Sequence, residues 1–129
     1  MPTTLDTVRV RAERTPRHLR EFEERRKHNI GRFFTDSALM ESRAKGLRMM
    51  LSTLVPGLTI IGNDIRVGSC RVNLYLDDFQ IREVDLDALL VETLAAMEVY
   101  RDVEVPVRYK PMSGTCAVIL LWSKWDDTT

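Results

Sequence analysis

The chain has no export signal, no long apolar run and no cluster of metal-binding or nucleophilic residues, and each absence closes off a class of function. Met1-Pro2-Thr3-Thr4 offers no basic leader, apolar core or small-residue cleavage site. The protein is therefore expected either to stay in the cytoplasm or to be a mature or excised piece of an exported one. No stretch approaches the roughly 18 consecutive apolar residues of a membrane-spanning helix, so no transmembrane segment is expected. GxSxG, HExxH, P-loop and GxGxxG patterns do not occur. The two cysteines, Cys70 and Cys116, lack CxxC spacing, and His18 and His28 stand in a different, polar segment, which argues against zinc. Asp77-Asp78 are adjacent, and neighbours on an extended strand point to opposite faces, so they are poor joint ligands. Cys116 beside Ser113 and Thr115 has no histidine near it in sequence to activate it. The expectation is a non-enzymatic protein with no catalytic residue, metal or cofactor.

What is present is one domain's worth of chain: 129 residues, 44% apolar, with no internal repeat or low-complexity stretch. Nineteen basic and nineteen acidic residues cancel formally. The cancellation hides an asymmetry, because residues 1–50 hold twelve Lys/Arg against seven Asp/Glu and the remainder reverses it. A basic arm on an acidic body could steer toward an anionic partner, or the two halves could simply attract each other.

Leu5–Ala12 (LDTVRVRA) alternates, with Val8 and Val10 on one face and Arg9 and Arg11 on the other, as an edge or partner-binding strand does. After Thr15-Pro16, Arg17–Asn29 reads as a charged helix. Its narrow apolar stripe is Leu19 and Phe22, continued only by the Arg26 stem, with Glu21–Arg25 and Glu23–Lys27 at ion-pair spacing. Phe33-Phe34 form an apolar anchor, and Thr35, Asp36 or Ser37 can cap a short helix to about Ser42. Leu47, Met50, Leu51 and Leu54 recur at helical spacing until Pro56-Gly57. Leu58–Ile61 and Ile65–Val67 read as a hairpin around Gly62-Asn63-Asp64, followed by strands Arg71–Leu76 and Phe79–Ile81. A last helix is expected from Leu86 to about Ala95, then a strand Met97–Arg101, a loop over 102–115 and a closing strand Ala117–Lys124.

This order predicts an α+β domain: a small mixed β-sheet with two or three helices packed against one face. Its parts are an extended segment 1–16, a charged helical arm 17–32, a body 33–125 and a disordered tail 126–129. Cys70 and Cys116 each open an apolar strand. If those strands are neighbours, a disulfide would close a loop of roughly 47 residues and stabilise the fold by about 4 kcal/mol in the chain-entropy model. Two buried thiols are the alternative, and the bridge requires an oxidising compartment.

Three ordered stretches carry a resemblance: Gly46–Leu58 (GLRMMLSTLVPGL), Cys70–Asp78 (CRVNLYLDD) and Met97–Lys124, with EVYR near its start and CAVILLWSK at its end. Together with Leu86–Ala96 they cover about 90 residues. In that order they resemble the plug domain of TonB-dependent outer-membrane receptors, which gates a transport pore and performs no chemistry. Leu5, Asp6, Thr7, Val8, Arg9 and Val10 are similar to the segment that contains or adjoins the TonB box. There an extended peptide adds a strand to a TonB C-terminal domain through main-chain hydrogen bonds. Arg9 and Arg11 stand where neutral residues are usual. Asp78 replaces the turn glycine of the family's "DG", and Ala117 replaces the glycine after the cysteine. These 129 residues contain no barrel sequence.

The resemblance implies an isolated plug, or a free-standing derivative of one, that gates or binds. Its partner would be a TonB-like protein, a β-barrel or another envelope protein, in the periplasm or at the outer membrane if exported; self-association is a further option. The alternative is an interaction or nucleic-acid-binding module built on Arg17, Arg20, Arg25, Arg26, Lys27 and Arg32. Glu21, Glu23 and Glu24 interleave those cations, and the strands offer no aromatic pair of the RNA-binding kind, so nucleic acid is not the expected partner. Trp122 and Trp125 are expected to pack rather than stack on a ligand.

Overall fold

The structure, a computed structural model, describes residues 15–62, 64–110 and 115–124. The expectations for Leu5–Val10, Trp125 and the tail 126–129 lie outside the described residues. Among the described residues a mixed sheet of seven strands, with three helices, forms the body, as expected of an α+β domain. In chain order the elements are α1 (Arg17–His28), β1 (Arg32–Thr35), α2 (Asp36–Glu41), α3 (Leu47–Leu54), β2 (Leu58–Ile61), β3 (Asp64–Val67), β4 (Cys70–Leu76), β5 (Phe79–Ile81), β6 (Leu94–Arg101) and β7 (Thr115–Ser123). The sheet runs β1-β6-β7-β4-β3-β2, with β5 paired to β4 beyond the end of β3. Among the described residues only β4 and β7 pair in parallel. Among the described residues no helix is long and apolar enough to cross a membrane.

The closing strand β7 lies inside the sheet with both faces covered, which is why its sequence is almost continuously apolar rather than alternating. Ala117, Ile119 and Leu121 face one layer; Val118, Leu120 and Trp122 face the other. On the first face, Leu39 of α2 and Leu47, Met50 and Leu51 of α3 complete the larger core with Met97 and Val99. On the second, Phe22 of α1 meets Ala96, Tyr100, Val118, Leu120 and Trp122. Helices therefore cover both faces, not one. The single-face expectation treated α1 as a loosely packed arm, whereas its buried edge includes His18 as well as Phe22.

The helix expected at Leu86 to Ala95 is absent. In its place stand two 3₁₀ segments, Glu83–Ala88 and Val91–Thr93, separated by extended Leu89 and Leu90. The leucine spacing is helical, but Leu90 is 58% exposed while Leu86 and Leu94 are buried. Strand pairing explains the outcome: β6 begins at Leu94, opposite Ser123, and draws residues that a helix would have used. A sheet partner outweighs local propensity of a few tenths of a kcal/mol per residue. Phe33-Phe34, read as an anchor, lie in β1, which extends the sheet beyond β6.

A turn and a bulge mark the ends of β4. Asp77 and Asp78 both have positive φ (49° and 74°), the conformation of a two-residue hairpin turn that suits the right-handed twist. Asp is among the few side chains that accept it, so the missing glycine is tolerated. At the other end the register steps from Arg71 opposite Thr115 to Val72 opposite Ala117, leaving Cys116 as the extra residue of a bulge. A bulge re-aims one side chain. Here Cys116 is bonded to Cys70, with their Cα atoms 5.5 Å apart, so the expected disulfide is present.

Candidate functional site

The most unusual chemistry in the described residues is a charge buried in the middle of β6. Alternation along β6 puts Ala96, Glu98 and Tyr100 on the α1 face, and Glu98 is fully buried. Its carboxylate accepts four hydrogen bonds. Arg25 donates Nε to Oε1 at 2.8 Å and Nη2 to Oε2 at 2.7 Å. Trp122 donates Nε1 to Oε2 at 2.6 Å, and the Tyr100 hydroxyl donates to Oε1. A bidentate guanidinium–carboxylate pair is the geometry that best offsets the cost of burying a charge.

These groups tune one another. Burial alone would lower the Arg25 pKa, but the bond and charge of Glu98 hold it above its ordinary value. Burial, followed by the Glu98 carboxylate, raises that of Tyr100. Arg25 also lies over the Trp122 ring at 5.5 Å, and His18 stacks on that ring at 5.4 Å. Tyr100 leaves no room beside Gly31. A Cβ there would stand 2.7 Å from Tyr100 Cε1, so glycine is required for the chain to pass from α1 into β1.

A second polar group sits at the end of β7. His18 Nε2 lies 2.8 Å from the Ser123 carbonyl oxygen, which can only accept, so that nitrogen carries the proton. Ser123 donates its backbone N–H and hydroxyl to Asp77 at 2.9 and 2.6 Å. Serine, histidine and aspartate are thus close together, yet the roles are not those of a nucleophilic triad. The hydroxyl proton goes to the carboxylate, and the imidazole nitrogen that would accept it is already a donor. Asp78 diverges from Asp77: the Tyr109 hydroxyl donates to its Oδ1, and Arg108 Nη2 donates to its Oδ2 at 2.6 Å. Burial and then Asp78 raise the Tyr109 pKa. Residues from α1, the Asp77-Asp78 turn and Arg108 line a cleft of about 300 Å³ over Trp122. Among the described residues no group of three or more potential ligands could hold a metal ion, and no buried side-chain N or O lacks a partner.

Several sequence expectations meet a different geometry. Arg25, not the Arg26 stem, turns inward. The Arg–Glu pairs within α1 include Arg17 with Glu21 at 3.1 Å and Arg26 with Glu23 at 3.3 Å, whereas Arg25, expected to pair with Glu21, is bonded to Glu98. The expected packing role of Trp122 is what the ring does. Glu98 escaped notice, although a lone acid inside LAAMEVYR was its signal. Its partners stand 73 and 24 residues away and meet only through the strand order.

No family model matches this chain, and no curated protein matches it.

Proposed function

We propose that the chain is a plug-like, non-enzymatic binding or gating module of TonB-dependent outer-membrane transport, or a free-standing derivative of one. The observation that carries this reading is where the resembling stretches lie. Gly46–Leu58 supplies α3 and its Pro56-Gly57 exit, Cys70–Asp78 supplies β4 and its turn, and the last stretch supplies most of β6 and all of β7. β6, β7 and β4 are consecutive in the sheet, α3 buries Leu47, Met50 and Leu51 against it, and the disulfide ties β7 to β4. The stretches therefore form one stapled body, which suits a stopper better than a flexible adaptor. The disulfide also fits an oxidising compartment, such as the periplasmic side of an outer membrane. The reading assigns Leu5–Val10 to a TonB-like partner by strand addition.

Capture on an immobilised TonB C-terminal domain tests this. Wild type should bind and Val8→Pro should bind less, because proline removes a main-chain donor. No capture of the wild type, or equal capture of both, overturns the assignment. The nucleic-acid reading draws less support, because Arg17, Arg25 and Arg26 are engaged by Glu21, Glu98 and Glu23. Tight RNA binding with a steep salt dependence would favour it instead.

A further inference from the structure

The sheet splits beside β4. On the side away from β7, β3 pairs with Cys70 and Arg71, and β5 pairs with Leu74–Leu76. Among the described residues Val72 and Asn73, which lie between, pair only with β7. A cavity of about 260 Å³ opens at this split, and its polar lining is Asp64, Arg71, Asn73, Gln80, Arg82 and Thr115.

The lining is polar for a structural reason. Val72 and Leu74 point into the core under α2 and α3, so Arg71 and Asn73 point to the opposite face. Thr115 joins them as the register partner of Arg71. On that face α1 packs over β6 and β7, where Phe22 meets Tyr100, Val118 and Leu120. Among the described residues no helix contributes to the cavity.

Charge there is unbalanced. Asp64 is the one carboxylate among the described lining residues, and Arg66 at 3.3 Å and Arg71 at 4.0 Å share it. Arg82 adds a third cation. Asp85 accepts the Arg82 backbone N–H at 2.8 Å but is not part of the lining. The two lining arginines belong to opposite ends of the split. Arg71 is level with β3, and Arg82 follows Ile81, the partner of Leu74. Three residues of strand separate those levels, about 10 Å.

We propose that this cavity binds a small organic dianion with a carboxylate at each end, of the size of a four-carbon dicarboxylate. A guanidinium presents paired N–H donors that match one carboxylate, so two of them at separate ends suit two such groups better than one compact ion. Asn73, Gln80 and Thr115 can each donate and accept hydrogen bonds, which suits the body of such a ligand. The proposal does not depend on TonB-dependent transport.

Titration of the full chain with succinate at low ionic strength, read by residue-resolved NMR, is the test. Succinate should saturate one site with a dissociation constant below about 1 mM, shifting the side-chain amides of Asn73 and Gln80 and the Thr115 backbone amide. Propionate and succinamide should each bind at least about tenfold more weakly. Arg71→Gln and Arg82→Gln should each weaken succinate by at least about tenfold. Both side chains are exposed, so the β6 and β7 amide signals should stay in place and show that the fold persists. Arg20→Gln on α1 should leave the affinity unchanged. Absence of saturable binding, shifts centred on α1, or an affinity indifferent to the Arg71 and Arg82 variants would overturn the proposal. Inorganic phosphate binding as tightly as succinate would also overturn it, replacing the two-ended ligand by a compact anion. Capture by TonB can fail while this titration stands, and the reverse, so the two readings fail separately.

Discussion

The two faces of the sheet are covered by opposite means. Under α2 and α3 the core is entirely apolar: Leu39, Leu47, Met50 and Leu51 pack on Met97, Val99, Ile119 and Leu121. Under α1 only Phe22 and a flank of Leu19 are apolar contacts, and the contact is completed by Arg25 on Glu98 and His18 on Trp122. The buried polar residues His18, Glu98 and Ser123 all belong to this second side or its end. Apolar packing is non-directional, so a helix on the first face can shift slightly and keep most of its burial. On the second face four donors converge on one carboxylate, and a small slide of α1 would leave some of them unpaired in a dry setting. A helix with little apolar surface is thus held by geometry rather than by area.

The largest effect is expected where that geometry is removed. Glu98→Ala should cost about 3–5 kcal/mol in urea unfolding, because it strands the Arg25 charge with the Tyr100 and Trp122 donors unmet. Adding Arg25→Ala to it should cost clearly less than the sum of the two single changes. Additivity would show that the pair is not a coupled clasp. On the apolar face Leu51→Ala should cost about 3 kcal/mol through lost burial and a cavity. It should combine additively with Glu98→Ala, since the sheet separates the two sites. Strong coupling between them would break the contrast between the faces.

The same contrast decides what could be read from the sequence. β2 to β5, α2 and α3 were legible almost residue by residue, because hairpin turns and helical leucine spacing are local signals. The Cys70–Cys116 bridge was legible as an option, because both residues open apolar strands. The placement of α1 was not. Leu19 and Phe22 alone suggest a loosely attached helix, and the charge that anchors it lies on a strand 73 residues away. The segment Leu86–Leu94 misled for the converse reason: its leucines repeat like a helix, while pairing with β7 claims its end. Local patterns report local structure, and the candidate site is built from long-range pairings.

Alkaline titration should sharpen the comparison further. The Tyr100 and Tyr109 pKa values are raised by burial and then by Glu98 and Asp78. A raised value means that the folded state holds its proton more tightly than the unfolded state. The stability this gives is complete below about pH 10 and is lost as pH rises through and beyond the unfolded value. Each tyrosine should then remove up to about 1.4 kcal/mol per pH unit above 10. Tyr100→Phe should flatten the upper part of the curve by one such contribution, and a curve of unchanged slope would contradict the account.

The smallest effect is expected from a charge pair on α1 that looks similar in sequence but faces water. Arg26 and Glu23 are each about half exposed, at 48% and 51%, and their closest atoms stand 3.3 Å apart. In that setting water already solvates both charges, and fixing two long side chains costs entropy. Glu23→Gln should therefore shift stability by no more than about 0.5 kcal/mol, and the shift should shrink as salt is added. Glu98→Gln should keep most of its effect in the same salt series, because its carboxylate is sheltered from counterions. Equal salt responses for the two changes would mean that the buried clasp is wet, and that α1 leaves the sheet often enough to expose it.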